Sequence, residues 1–175
     1  MKNNAVNSIC EALTGLSLIS FKFNFRGVGN SQGTYDNGIG EQDDVRAAIS
    51  FLTQLNTVDS NKIGLAGYSA GAAFGLPVGA EDSGIIALVA VSPPFSMSDF
   101  SFLTSSLKPK YLILGSNDNL TSESQFQDYC SRLPEPVAYE IIEGADHFWS
   151  GYEKKMAMKV AAFFARTLGN EKEIK

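Results

Sequence analysis

Apolar residues recur along this chain at two periods. Val6, Ile9, Cys10 and Leu13 fall at helical spacing, which predicts a helix over Val6–Leu13 that stops before Gly15. Leu16–Phe25 is a near-continuous apolar run and predicts a strand buried on both faces, as in a parallel sheet. Val45, Ala48, Ile49 and Leu52 return to helical spacing within Glu41–Leu55, with acids in the first turn where the helix dipole favours them. Lys62–Ala66 predicts a buried strand and Ala72–Leu76 a helix of small residues packed closely on a sheet. Strands follow at Ile85–Val91, Tyr111–Leu114 and Val137–Ile142, separated by a helix over Ser122–Leu133. That helix turns Phe126, Tyr129, Cys130 and Leu133 to one side. A last helix over Tyr152–Leu168 turns Met156, Val160, Phe163 and Phe164 inward, before a polar tail, Glu171–Glu173, that is expected to fray. Strands alternating with helices imply an α/β fold, a mostly parallel sheet with helices on both faces, formed as one domain over residues 1–175.

Between these elements lie two informative connections. Arg26–Gly40 is a glycine-rich loop at the carboxyl end of a predicted strand. Its G-x-G opening is not a dinucleotide fingerprint, because the third glycine would fall at Gln32 and no helix starts inside the loop. Arg26 reads as a structural ion-pair partner for Glu41, Asp43 or Asp44, and those three acids as a solvated helix start rather than a metal cluster. The Phe95–Lys108 connection is too short for a large lid, so a site near it should be open. Phe95, Phe100 and Phe102 fit either an acyl pocket or the core, and Tyr68 fits either as well.

Composition narrows the function classes. A net charge of −5 without a Lys/Arg cluster argues against a nucleic-acid partner. Cys10 and Cys130 lack C-x-x-C spacing, and with one histidine in the chain a zinc site is not expected. Both cysteines read as core or half-buried thiols of a reducing compartment. No signal peptide and no span long enough for a bilayer stand out, so the expected location is cytoplasmic, with no membrane partner.

The candidate chemistry centres on Gly67-Tyr68-Ser69-Ala70-Gly71, a serine between two glycines at a strand-to-helix joint. A turn this tight should exclude a side chain two residues either way of the serine, and it lifts the Ser69 hydroxyl above the sheet edge. Open α/β sheets bind ligands at the carboxyl ends of their strands. Ser69, Asp118 and His147 each follow a predicted strand, in the chain order Ser…Asp…His. In that arrangement His147 takes the proton of Ser69, Asp118 fixes the imidazole tautomer, and the Ala70 N–H donates to the oxyanion. Asp118 also fits a plain turn former and His147 a satisfied loop histidine. Asp146 is the rival acid, and neighbours in an extended loop point apart, so a structural role is expected for it.

At this point the chain resembles the alpha/beta-hydrolase superfamily, most of all the small cap-less bacterial hydrolases related to dienelactone hydrolase. The resemblance is carried by Phe23-Asn24-Phe25-Arg26-Gly27-Val28-Gly29 with Ser31 and Gly33, and by Gly40-Glu41 with Asp44. It continues through the Ser69 elbow, Gly115 with Asp118, and Gly144-Ala145-Asp146-His147-Phe148. It implies a serine hydrolase, of carboxylesterase type, acting on a small-molecule acyl substrate without a cofactor, with Ser69 as nucleophile, Asp118 as acid and His147 as base. Relatives of this kind carry about three further strands before the first helix, and a loop there supplies a second oxyanion N–H. Met1 lands near the end of that loop, so an N-terminally truncated chain is expected. One of the strands in question lies between Leu16–Phe25 and the elbow strand. These two must therefore pair directly or leave backbone unpaired, and an exposed sheet edge would promote homo-oligomers. The contrasting expectation is a non-catalytic hydrolase-fold binding protein or an inactive fragment. A flavodoxin-like nucleotide-binding domain fits the strand alternation but lacks a phosphate loop.

Overall fold

The computed structural model describes residues 3–169. Its elements are α1 (Asn4–Gly15), α2 (Ile39–Thr53), β1 (Ile63–Tyr68), α3 (Ala70–Glu81), β2 (Ile85–Val91), a 3-10 turn (Ser101–Thr104), β3 (Lys110–Asn117), α4 (Glu123–Cys130), β4 (Val137–Asp146) and α5 (Glu153–Thr167). The four strands form one parallel sheet in the order β1-β2-β3-β4. The tail Glu171–Glu173 lies outside the described residues.

The central strands are apolar on both faces because both faces are covered. Side chains alternate at period two. Leu88 and Ala90 of β2 and Leu112 and Leu114 of β3 point into one core, with Val45 and Ile49 of α2, Leu76 of α3 and Phe126 of α4. Val89, Val91, Tyr111 and Ile113 point the other way, onto Ile9 of α1 and Met156, Val160 and Phe164 of α5. Helices α2, α3 and α4 thus cover one face and α1 and α5 the other. No helix among the described residues is long and apolar enough to cross a membrane.

The expected strand over Leu16–Phe25 does not form. Leu16–Leu18 turn back onto the end of α1, the rest of the segment belongs to no ladder, none of its residues is fully buried, and Ile19 and Phe21 are exposed. Among the described residues no amide from Ile19 to Phe25 donates a hydrogen bond. The reason is the lack of a neighbour. β1 pairs with β2 on one side only, and the run does not come close enough to its other edge to pair. Between them lies an apolar cleft of about 740 Å³, walled by the extended segment and by β1. Consistent with an open edge, Ala66 in the middle of β1 is exposed whereas nearly every residue of β2 is buried.

The loop after this segment is fastened by charge. Arg26 holds Asp44 through paired hydrogen bonds, 2.8 Å from Nη2 to Oδ1, and its own backbone N–H donates to Oδ2. Helix α2 starts at Ile39, inside the stretch expected to be loop. Its start is not solvated as expected, because Glu41 is buried. The carboxylate accepts the N–H groups of Gly38 at 2.8 Å and Asp36 at 3.0 Å, so it closes the loop and caps the helix. Cys130 is buried, which pushes its thiol up to about 12, and Cys10 is half-buried.

Candidate active site

Each strand of the sheet delivers one polar residue at its carboxyl end. Ser69 follows β1, Ser92 follows β2, Asp118 follows β3 and His147 follows β4. Parallel strands put all four on one rim.

Ser69 sits at φ 51°, ψ −118°, a conformation that a residue with a Cβ adopts only under constraint. Gly67 explains why the turn closes. A Cβ there would lie 2.5 Å from the backbone of Ala72, so the chain folds back over bare backbone. Gly71 does not share this role. A Cβ on it would meet nothing within 4 Å, because that side of the turn faces the cleft. The expected steric demand therefore holds on one side of Ser69 only. Beyond Ser69 helix α3 begins; the Ala72 and Ala73 N–H groups donate to the Ser69 carbonyl, while the first N–H groups of a helix have no acceptor one turn back. The Ala70 N–H is one of them, and Ala70 is exposed to the cleft.

The structure brings the three expected side chains together. Ser69 Oγ lies 2.9 Å from His147 Nε2, and His147 Nδ1 lies 2.8 Å from Asp118 Oδ2. The Asp118 side chain is fully buried and that of His147 nearly so. Burial opposes ionisation of Asp118. Hydrogen bonds from His147 and the Leu120 amide outweigh it and leave the carboxyl below the usual carboxylate range. The other oxygen, Oδ1, accepts the N–H groups of Leu120 and Thr121. An acid held ionised fixes a proton on Nδ1 and leaves Nε2 free to accept from Ser69.

The residues around this chain are accounted for. Asp146 accepts the Ser150 N–H at 2.9 Å and so shapes the turn after β4. Tyr68 donates its hydroxyl to the His147 carbonyl at 3.0 Å, pinning the histidine loop to β1. Burial, then the Asp118 and Asp146 charges, raises its pKa, so it stays a donor. Phe148 meets the His147 ring edge-on and is exposed. Phe95, Phe100 and Phe102 settle as core, with Phe95 packed on Phe100, Phe126 and Tyr129. Sequence reasoning missed Ser92 and Trp149. Both are buried, both have positive φ, and the Trp149 indole N–H donates to Ser92 Oγ at 3.1 Å. Position was the available signal for Ser92, since it follows its strand as the other three follow theirs. Among the described residues no three His, Cys, Asp or Glu side chains gather as a metal site.

The model of the X-Pro dipeptidyl-peptidase (S15) family matches residues 20–148, from the extended segment to the histidine loop. The chain belongs to this family. Among known proteins, this S15-family chain is 36% identical over 158 residues to an uncharacterized protein of Rickettsia prowazekii (strain Madrid E). The match covers 85% of the chain and 66% of that relative, so the chain spans about two thirds of its length. An alpha-beta serine hydrolase homologue from Coxiella burnetii has the same fold at a TM-score of 0.84, with 32% identity over 93% of this chain and 76% of its own. A serine hydrolase without a lid from Xanthomonas campestris also has a TM-score of 0.84, with 28% identity over 95% of this chain and 74% of its own. The fold is thus that of an alpha/beta hydrolase, and the chain is of the serine-hydrolase kind.

Proposed function

We propose that the S15-family chain hydrolyses ester-type bonds of small acyl substrates, as a carboxylesterase with Ser69 as nucleophile. The observation that carries this reading is the unbroken line from Ser69 Oγ to His147 Nε2 at 2.9 Å and from His147 Nδ1 to Asp118 Oδ2 at 2.8 Å. In the first step Ser69 Oγ bonds to the acyl carbon while its proton passes to His147 Nε2. The carbonyl oxygen takes the negative charge and turns to the Ala70 N–H, at the positive end of α3. Collapse returns the proton from Nε2 to the leaving alkoxide and breaks its bond to carbon. Water, deprotonated by His147, then releases the acid and restores Ser69.

The surroundings favour an uncharged, apolar acyl group. The cleft at Ser69 is lined by Phe25, Leu65 and Phe148, and its carboxylate at Asp59 sits away from the nucleophile end, beside Val58 and Lys62. A dipeptidyl-peptidase reading, suggested by the family's name, needs a charged group to hold a peptide amino terminus, and an ester substrate needs none.

The test is fluorophosphonate labelling of the folded chain read by intact mass, followed by p-nitrophenyl esters of increasing acyl length. One adduct per chain, abolished by Ser69→Ala and by His147→Ala, is the expected result. A folded chain that takes no label overturns the proposal and leaves a non-catalytic hydrolase fold.

A further inference from the structure

We propose that Thr121 is a positioning residue for Asp118, tying the loop that carries the acid to the loop after β2 so that the Thr121 amide stays aimed at the carboxylate. The inference rests on the triad reading above and deepens it.

Asp118 needs help from outside its own side chain. Rotation about the last bond of an aspartate is broad and roughly two-fold, so the carboxylate plane is set by its hydrogen bonds. Oδ2 meets His147 Nδ1 at 2.8 Å, and Oδ1 is held by the Leu120 N–H at 2.9 Å and the Thr121 N–H at 3.2 Å. Both amides belong to the short connection between β3 and α4. They point at Oδ1 only as long as that connection keeps its shape.

The groups that keep it come from the loop after β2. Thr121 is buried, and its hydroxyl is used twice. It donates to the Pro93 carbonyl at 2.7 Å and accepts the Phe95 N–H at 3.0 Å. Ser96 Oγ donates to the Leu120 carbonyl at 2.7 Å. That carbonyl and the Thr121 N–H are the two ends of one trans peptide unit, and in a planar trans peptide they point opposite ways. Ser96 grips one end, and the other end faces Asp118 Oδ1. The base of these ties is firm. Pro93 and Pro94 are buried and have fixed φ, and the Phe95 ring packs on Phe100, Phe126 and Tyr129.

A plain helix start does not account for Thr121. The cap of α4 is Ser122, whose Oγ accepts the Gln125 N–H at 3.2 Å. The Thr121 hydroxyl bonds instead to a loop 28 positions earlier in the chain.

Two readouts on the full chain test the proposal. Proton NMR of isotopically labelled protein follows exchange of the His147 Nδ1 proton with water, and one histidine in the chain makes the ring signal unambiguous. Hydrolysis of p-nitrophenyl acetate gives kcat and KM separately. Thr121→Val removes both hydroxyl bonds. It should speed exchange of the Nδ1 proton and lower kcat by roughly ten- to a hundred-fold through misplacement of the acid. KM should stay as in the wild type, because Thr121 is buried and does not line the cleft. Thr121→Ser keeps the hydroxyl and should restore both readouts. Ser96→Ala, at an exposed position, should have the same effects to a smaller degree. Ser122→Ala loses the α4 cap and should lower the melting temperature while leaving proton exchange and kcat unchanged. Wild-type exchange and kcat in folded Thr121→Val overturn the proposal; if that variant does not fold, the same result in Ser96→Ala overturns it. A Ser122→Ala chain that loses the Nδ1 proton as readily also overturns it. If exchange responds as expected but fluorophosphonate labels no chain, the hydrolase reading falls and the positioning of Asp118 stands. If the wild type shows no protected Nδ1 proton, kcat and KM alone decide.

Discussion

The backbone at Ser69 should be measurably strained, and two substitutions isolate that strain. Ser69→Ala and Ser69→Gly both delete the hydroxyl and its 2.9 Å bond to His147, so the comparison between them cancels the side-chain loss. What remains is a Cβ at φ 51°, ψ −118°. Holding a residue in such a region costs about 1–3 kcal/mol when it carries a Cβ. Glycine avoids that cost but gives up about 0.5–1 kcal/mol more conformational freedom on folding. The glycine variant should therefore be the more stable of the two, by up to about 2.5 kcal/mol. Unfolding entropy of roughly 2.1 cal/mol/K per residue makes each kcal/mol worth about 3 °C for a chain of this size. Thermal unfolding by circular dichroism at matched concentration should place Ser69→Gly above Ser69→Ala, by up to about 7 °C. An alanine variant that melts at or above the glycine variant refutes the argument, and with it the claim that the elbow stores strain to present Oγ at the rim.

Four other outcomes are expected. Gly67→Ala, whose Cβ would lie 2.5 Å from the Ala72 backbone, should lose about 1–3 kcal/mol in urea unfolding or fail to fold. Gly71→Ala, with open space within 4 Å, should be neutral or gain up to about 1 kcal/mol from helix propensity. Hydrogen bonding from Arg26 holds the Asp44 carboxyl below its usual range. Its contribution is therefore present above the unfolded carboxylate pKa and lost as pH falls through the folded value, and Asp44→Asn should flatten the acid-side decline in stability between about pH 5 and pH 2. Amides from Ile19 to Phe25, which donate no hydrogen bond among the described residues, should exchange with deuterium orders of magnitude faster than those of Leu112 and Ile113 in β3.

Local chemistry made much of this protein legible. Continuous apolar runs and helical spacing give α1, β2, α4 and α5 to within a few residues, because burial of a strand on both faces or of a helix on one selects apolar side chains there. The elbow serine, the acid and the histidine could be named because each lies just past a strand, where parallel topology gathers side chains on one rim. Gly67 follows from the same local turn geometry.

Tertiary structure decided the rest. Leu16–Phe25 has every local mark of a strand, yet a strand exists only with a neighbour at hydrogen-bonding distance, and that is not encoded in the run itself. Glu41 looks like a surface acid until the loop brings the Gly38 and Asp36 amides onto it. Gly71 looks as constrained as Gly67 until the space beside it proves to be open cleft. Ser92 and Trp149 carry no motif, and their contact joins the ends of β2 and β4 through the folded sheet. The sequence by itself determined the period of each element and the type of each reactive group, because those depend on residues a few positions apart. Pairing, burial and hydrogen-bond partnership depend on residues brought together by folding, and only the assembled rim could show that Asp118 meets His147 and the Leu120 and Thr121 amides.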